Sequence, residues 1–318
     1  MSIEKNNFGD TGENISKLGI GLSEIGKISV DESQNIDNLL NSAIDLGINF
    51  FDTSACYGNS EDFLGRAISN RRDEFFLATK CGHFIDPYNP GLITNIKNKI
   101  YHNNQDQAWT IKTLIESVDR SLKRMKTDYI DLIQLHSCDL EILKQGDVIE
   151  AIEKMKQSGK VRFIGYSGDN EAAQWASLDD RFDSIQTSFN ILDQGAKNMV
   201  FPGVEKTNKG LIAKRPIANG AWGVENSPSD YANEYHRRYK IIQSKGMKID
   251  TELNSIELSL AFALSHKTIN VHIVGTTNLS HLKSNIKQLQ QNELLEEKIL
   301  SHLYELFDKS NDEWVSQT

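Results

Sequence analysis

The chain has 318 residues, of which 38% are hydrophobic and 25% charged, an ordinary balance for a globular protein with a sizeable core. Its formal net charge of −9 argues against a nucleic-acid binder, which needs a basic footprint, and offers nothing to an anionic membrane surface. The opening Met-Ser-Ile-Glu-Lys-Asn-Asn lacks a signal-like apolar stretch, no apolar run nears ~20 residues, and three cysteines suit reduced thiols, so a cytoplasmic protein is expected.

In chain order, short β-branched or aromatic runs predict strands at 17–21, 48–52, 75–80, 129–136, 162–167, 184–187, 210–215 and 270–274. Helical spacing fills the intervals. Ile36, Leu39, Leu40, Ala43 and Ile44 share one face and are closed by Gly47. Leu114, Ile115, Val118, Leu122 and Met125 follow, then Val148, Ile149, Ile152 and Met155, closed by Gly159. Strand and helix in alternation specify a parallel sheet, and eight strands at this length suit an α/β (β/α)8 TIM barrel in a single domain spanning 1–318. The competing open, doubly wound sheet usually opens on a G-x-G-x-x-G loop, and the sequence has none. Three segments stand outside the repeat: 83–106 with Phe84, Tyr88 and Tyr101; 219–247 with Trp222, Tyr231, Tyr235 and Tyr239; and a tail from Glu293 that reads as a terminal helix.

Barrels of this kind carry their chemistry at the C-terminal ends of the strands. Those ends hold Asp52 and Tyr57, Lys80, His136, Ser167, Gln186 with Asn190, Lys214 with Arg215, and Thr276. A phenol of pKa ~10 stays protonated at neutral pH and can donate to a developing alkoxide. A nearby ammonium lowers that pKa, and Asp52 can supply the countercharge that a buried Lys80 needs. An imidazole can orient a carbonyl oxygen. No side chain supplies a hydride, so a cofactor is implied.

The run Gly47-Ile48-Asn49-Phe50-Phe51-Asp52-Thr53-Ser54-Ala55-Cys56-Tyr57-Gly58-Asn59-Ser60-Glu61 resembles the signature of the aldo-keto reductase family. Ala78-Thr79-Lys80, the segment Asp128 to His136, the segment Gly159 to Gly165 and Val274-Gly275-Thr276-Thr277-Asn278 extend the likeness over almost the whole chain. The resemblance implies Tyr57 as general acid, tuned by Lys80 and Asp52, with His136 orienting the carbonyl. It implies Ser167 and Gln186 on the nicotinamide carboxamide. Gly21, Asp52, Asn190, Lys214, Arg215, Gly275, Thr276, Thr277, Asn278, His281 and Asn285 complete the expected cofactor side. It implies NADPH, with NADH possible, and a small-molecule carbonyl substrate, with neither nucleic acid nor membrane as partner, in a monomer or weak oligomer. No metal site is expected.

Three departures fall on the cofactor side. Gly168 stands where the family usually has Asn after Ser, and Lys214-Arg215-Pro216 replaces its Tyr-Ser-Pro. Thr277, Asn278 and His281 bring no fixed cation to the stretch where many members meet the 2′-phosphate of NADPH. An ammonium pointing at oxidised nicotinamide would favour the reduced form. Lys214 is therefore expected to lay its stem along the ring with its head reaching outward, and Lys214 or Arg215 to contact cofactor phosphate. Cys56, Cys81 and Cys138 all fall near the barrel mouth, as packing side chains or as an oxidation-sensitive or adventitious zinc site. The loops and tail, rich in aromatics and amides, suit a polar, ring-bearing carbonyl such as a sugar. Two other readings use the same residues: an alcohol or sugar dehydrogenase running oxidatively, and a cofactor-binding regulatory subunit that keeps the fold.

Overall fold

Every predicted strand forms, and eight of them close on one another. In the computed structural model, which describes residues 3–28, 33–83, 108–246, 249–291, 294–311 and 313–317, the strands are β1 Lys5–Asn7, β2 Asn14–Ser16, β3 Leu18–Gly21, β4 Phe50–Asp52, β5 Phe76–Cys81, β6 Ile130–His136, β7 Val161–Ser167, β8 Ser184–Ser188, β9 Gly210–Lys214 and β10 Val271–Gly275. The barrel runs β10-β3-β4-β5-β6-β7-β8-β9, all neighbours parallel, and this closure settles the architecture against an open doubly wound sheet.

The two-residue period of a strand sorts the core into two populations. Phe51, Leu77, Ile133, Leu135, Ile164, Ile185 and Leu211 point outward and join the helices in one large cluster. Phe50, Phe76, Ala78, Leu132, Ile212 and Val271 form a second cluster, to which Phe8 and Ile15 belong. The antiparallel hairpin β1–β2 supplies those last two, and Phe8 meets Phe50 and Phe76 edge-on at 5.9 and 5.6 Å. An apolar plug therefore fills the N-terminal end of the barrel, and polar residues take the interior positions toward the other end.

The helices obey the patterns read from sequence. Ser33–Asp45 and Asp147–Gln157 end at Gly47 and Gly159, whose φ values of 94° and 79° are the left-handed conformations that terminate a helix. Ile111–Met125 starts at Thr110, whose side chain accepts the Thr113 N–H, and Ser255–Leu264 starts with an Asn254/Glu257 capping box. The 219–247 insertion holds the helix Asn233–Ser244, and the tail holds Glu297–Ser310. Phe84, Tyr88 and Tyr101 lie outside the described residues. Among the described residues no helix is long and apolar enough to cross a membrane.

Candidate active site

A cavity of about 510 Å³ opens at the C-terminal mouth of the barrel. The alternation that points Phe50 and Phe76 inward also points Asp52 and Lys80 inward, two and four residues further along their strands. Lys80 Nζ lies 2.6 Å from Asp52 Oδ2 and 2.8 Å from the Thr53 carbonyl, and both side chains are buried. The other Asp52 oxygen accepts Gln186 Nε2 at 2.9 Å and Gln134 Nε2 at 3.3 Å, while Ser167 Oγ donates to Gln186 Oε1 at 2.6 Å. Such hydrogen bonding is the condition under which a buried ion pair is tolerated.

Tyr57 hangs over this pair. Lys80 Nζ stands 5.0 Å from its ring centroid, and the His136 ring meets it edge-on at 5.7 Å. Desolvation and then the Asp52 carboxylate hold the Tyr57 phenol well above its ordinary pKa, so it is protonated at neutral pH. This departs from the expectation that Lys80 lowers it, because the ammonium is directed to Asp52 and Thr53. Burial, then His83 and the cations Lys80, Lys214 and Arg215, hold His136 well below the usual imidazole value, so the ring is neutral. Its Nδ1 lies 3.3 Å from Ser54 Oγ and 3.5 Å from Cys56 Sγ.

The loop carrying Tyr57 is held from outside the barrel. Arg124, in the last turn of Ile111–Met125, donates to the carbonyls of Ala55 (3.2 Å) and Gly58, which flank Tyr57. The same guanidinium pairs with Glu61 at 3.3 Å and Asp62 at 2.7 Å, and buried Glu61 accepts Thr79 Oγ1 at 2.8 Å. On the opposite side Gly26 packs so close that a Cβ there would stand 2.0 Å from the Tyr57 carbonyl oxygen. Sequence reading missed Arg124, since a cation near a helix C-terminus reads as a solvated favourable charge.

The remaining wall carries the departures. Gly21 and Gly275 pair in register across β3 and β10 and line the cavity without side chains. Lys214 lines it too, but its ammonium turns to Asp169 at 2.7 Å rather than reaching outward, and Asp169 also accepts Thr187 Oγ1 at 2.9 Å and Ser188 N at 2.6 Å. Arg215 sits at φ 59°, a left-handed backbone that a non-glycine keeps only when its surroundings over-determine it. Those surroundings are Ser188 Oγ at 2.7 Å, the Tyr231 hydroxyl at 2.8 Å and the carbonyl of Gln317 from the C-terminal tail. Ser316 Oγ (2.6 Å) and the Gln317 N–H (3.1 Å) tie that tail to Asp193. A side chain at 168 would put its Cβ 2.3 Å from the Tyr166 hydroxyl, which donates to the Cys138 carbonyl at 2.9 Å. The Asn expected there has no room.

The expected residues thus divide. Gly21, Asp52, Tyr57, His136, Ser167, Gln186, Lys214, Arg215 and Gly275 line one cavity, with Lys80 beneath them. Asn190, Thr276, Thr277, Asn278, His281 and Asn285 lie off its wall. Asn190 is buried and accepts the Leu192 N–H, whereas Asn278 Oδ1 accepts the Ser280 N–H at 2.8 Å as Leu279–Gln291 begins. The cysteines also divide: Cys56 lines the cavity, but Cys81 and Cys138 are packed in the outer core, their thiols pushed up by burial. Asp169, Tyr231 and His83 join the site from positions that sequence reading left unassigned or placed only within insertions.

The Aldo/keto reductase family model matches residues 17–301. YqkF of Bacillus subtilis, an uncharacterized oxidoreductase, is 30% identical over 311 residues, 93% of this chain and 94% of that protein. L-galactose dehydrogenase of Arabidopsis thaliana is 27% identical over 314 residues, 92% of this chain and 90% of the plant enzyme. Among solved structures, the holo form of an aldo-keto reductase from Bacillus halodurans gives a TM-score of 0.76 at 25% identity, over 96% of each chain. A family match from the first barrel strand to the last helix, on a barrel of this closure, establishes that the protein belongs to the aldo/keto reductase family and is an oxidoreductase.

Proposed function

We propose that the enzyme reduces an aldehyde or ketone to the alcohol with NADPH, Tyr57 donating the proton and His136 orienting the carbonyl. The observation that carries this reading is the stacking order at the cavity floor. A protonated phenol and a neutral imidazole meet edge-on at 5.7 Å above a buried Asp52–Lys80 pair. A carbonyl oxygen placed against both receives a hydrogen bond from the phenol, and the proton transfers as negative charge builds on that oxygen. Lys80, 5.0 Å from the ring, stabilises the phenolate left behind, and Asp52 holds Lys80 in position.

The residues around the cavity suit a nicotinamide cofactor. The Ser167 hydroxyl and Gln186 amide line the wall, and each retains capacity for a carboxamide beyond the bonds they already make. The Gly21–Gly275 wall leaves a flat approach, and of the cations in the lining Lys27 pairs with Glu24 and Lys214 with Asp169, while Arg215 is held by Ser188 and Tyr231. A bound nicotinamide supplies the hydride. Tyr231, beside Arg215, gives the mouth an aromatic wall, which favours a polar, ring-bearing carbonyl such as a sugar; a relative named L-galactose dehydrogenase supports the same class.

Loss of nicotinamide absorbance over a panel of aldehydes, ketones and aldoses, with NADPH and NADH in parallel, tests the reading. Tyr57→Phe is expected to lower the rate by about 10²–10⁴-fold with cofactor affinity kept. An unchanged rate would overturn Tyr57 as the acid, and faster turnover of alcohols with the oxidised cofactor would reverse the direction. A larger kcat/KM with NADH would overturn the cofactor preference.

A further inference from the structure

The ends of β4, β5 and β6 bring three soft ligand groups to one corner of the cavity. Cys56 follows β4, His83 follows β5 and His136 ends β6, and all three line the cavity wall. One ligand atom from each lies within 4.8 Å of the others. We infer that Cys56, His83 and His136 form a binding site for a thiophilic divalent cation of the zinc class.

The geometry is close to what such a cation needs. Bonds of about 2.3 Å to sulfur and 2.0–2.1 Å to nitrogen, at the tetrahedral angle, separate the two ligand atoms by about 3.6 Å. Cys56 Sγ and His136 Nδ1 already stand 3.5 Å apart. His83 brings its own ligand nitrogen within 4.8 Å of the other two ligand atoms, so side-chain adjustment closes the set. Its ring lies 4.4 Å from that of His136 and is backed edge-on by Trp109 at 5.5 Å, so it is held at the site. Ser54 Oγ, 3.1 Å from Cys56 Sγ and 3.3 Å from His136 Nδ1, gives up its hydrogen bond to that nitrogen when the cation takes its lone pair.

The donor set selects the cation. One sulfur and two imidazole nitrogens suit Zn²⁺ and its neighbours, while Mg²⁺ and Ca²⁺ require oxygen ligands. Three protein ligands leave the fourth position to water or another small oxygen ligand. On binding, the Cys56 S–H proton passes to solvent and the thiolate forms the sulfur–metal bond.

A consequence rests on the proposed function: His136 is the imidazole assigned to the substrate carbonyl, so an occupied site blocks reduction. The cation then acts as a reversible inhibitor.

Cobalt(II), titrated into cofactor-free protein without added thiols, is the probe. One equivalent per chain is expected to give the sulfur-to-metal charge-transfer absorption and the intense visible bands of a tetrahedral site. Cys56→Ser should abolish the sulfur band with an unchanged melting temperature. His83→Ala should weaken binding by roughly tenfold or more, since even an outer-shell partner is worth about 10–100-fold. No charge-transfer band in the wild type, or a band that survives Cys56→Ser, overturns the site. Equimolar zinc should inhibit wild-type turnover, with recovery in EDTA, and leave Cys56→Ser at that variant's own rate in EDTA, whatever that rate is; equal fractional inhibition of both would place the inhibitory cation elsewhere. If no carbonyl is reduced at all, the proposed function fails while the cobalt titration still decides the metal site.

Discussion

At the scale of single residues, the Asp52–Lys80 pair is the feature on which the floor of the site depends. Asp52 accepts from Lys80, Gln134 and Gln186 at once, so its charge is compensated only while the ammonium is present. Lys80→Met is expected to cost about 3–5 kcal/mol in urea unfolding, because it leaves a carboxylate buried without a counter-charge. Adding Asp52→Asn should recover most of that loss but none of the activity; undiminished stability in the single variant would refute the account. The meeting of Asp52, Lys80 and His136 at one mouth was legible in sequence because each sits at or beside a strand end, where period and fold together fix its direction; Tyr57, in the loop after β4, was singled out by the family signature rather than by period. Lys214 was legible only in part. Its position at the end of β9 follows from pattern, but its turn toward Asp169 depends on a carboxylate 45 positions away in the chain that pattern reading had not singled out. Gly168 is the reverse case, a family departure whose cause is the neighbouring Tyr166 ring.

Among the elements, Ile111–Met125 does more than cover the barrel. Its Arg124 bridges the carbonyls on either side of Tyr57 and the Glu61–Asp62 turn that follows. Removing it lets the loop relax, and misplacing a reacting group by about 1 Å can cost on the order of 10²-fold. Arg124→Ala should therefore lower kcat by roughly that factor while cofactor Kd stays within about twofold. A fall in cofactor affinity with kcat intact would assign Arg124 to binding instead. Strand limits differ from expectation where side chains take the backbone's place. The second predicted strand begins at Phe50 rather than 48, since Asn49 uses its side chain to accept Ser16 N at 2.7 Å and to donate to Asn14 O at 3.0 Å. The 210–215 run stops at Lys214 because Arg215 turns left-handed. In the 219–247 insertion, Trp222, Tyr235 and Tyr239 go into the core and Tyr231 reaches the cavity, a division that aromatic content alone cannot specify.

Over the whole molecule, buried histidines couple folding to pH. His266 Nδ1 faces the Phe262 carbonyl at 2.8 Å and so must donate, which leaves Nε2 to accept the Tyr304 hydroxyl at 2.6 Å. Burial lowers the pKa of His266, and likewise of His272, to about 4, below the ~6.5 of an unfolded imidazole. Between those values the unfolded chain binds more protons, so stability held above pH ~6.5 is lost as pH falls toward ~4, by up to ~1.4 kcal/mol per pH unit for each group. Denaturant melts at pH 7, 6 and 5 should show the decline, and His266→Gln should remove one group's share of it; a level profile in the parent protein would contradict the assignment.

The C-terminal tail carries a practical lesson for anyone who handles this enzyme. Gln317 holds Arg215, and Ser316 holds Asp193, so a few terminal residues brace a left-handed turn in the wall of the reaction chamber. Replacing Ser316 and Gln317 with glycine should therefore loosen the active site before it unfolds the protein, with turnover falling ahead of any change in melting temperature. An affinity handle belongs at the other terminus, where the β1–β2 hairpin seals the far end of the barrel and the chemistry is out of reach.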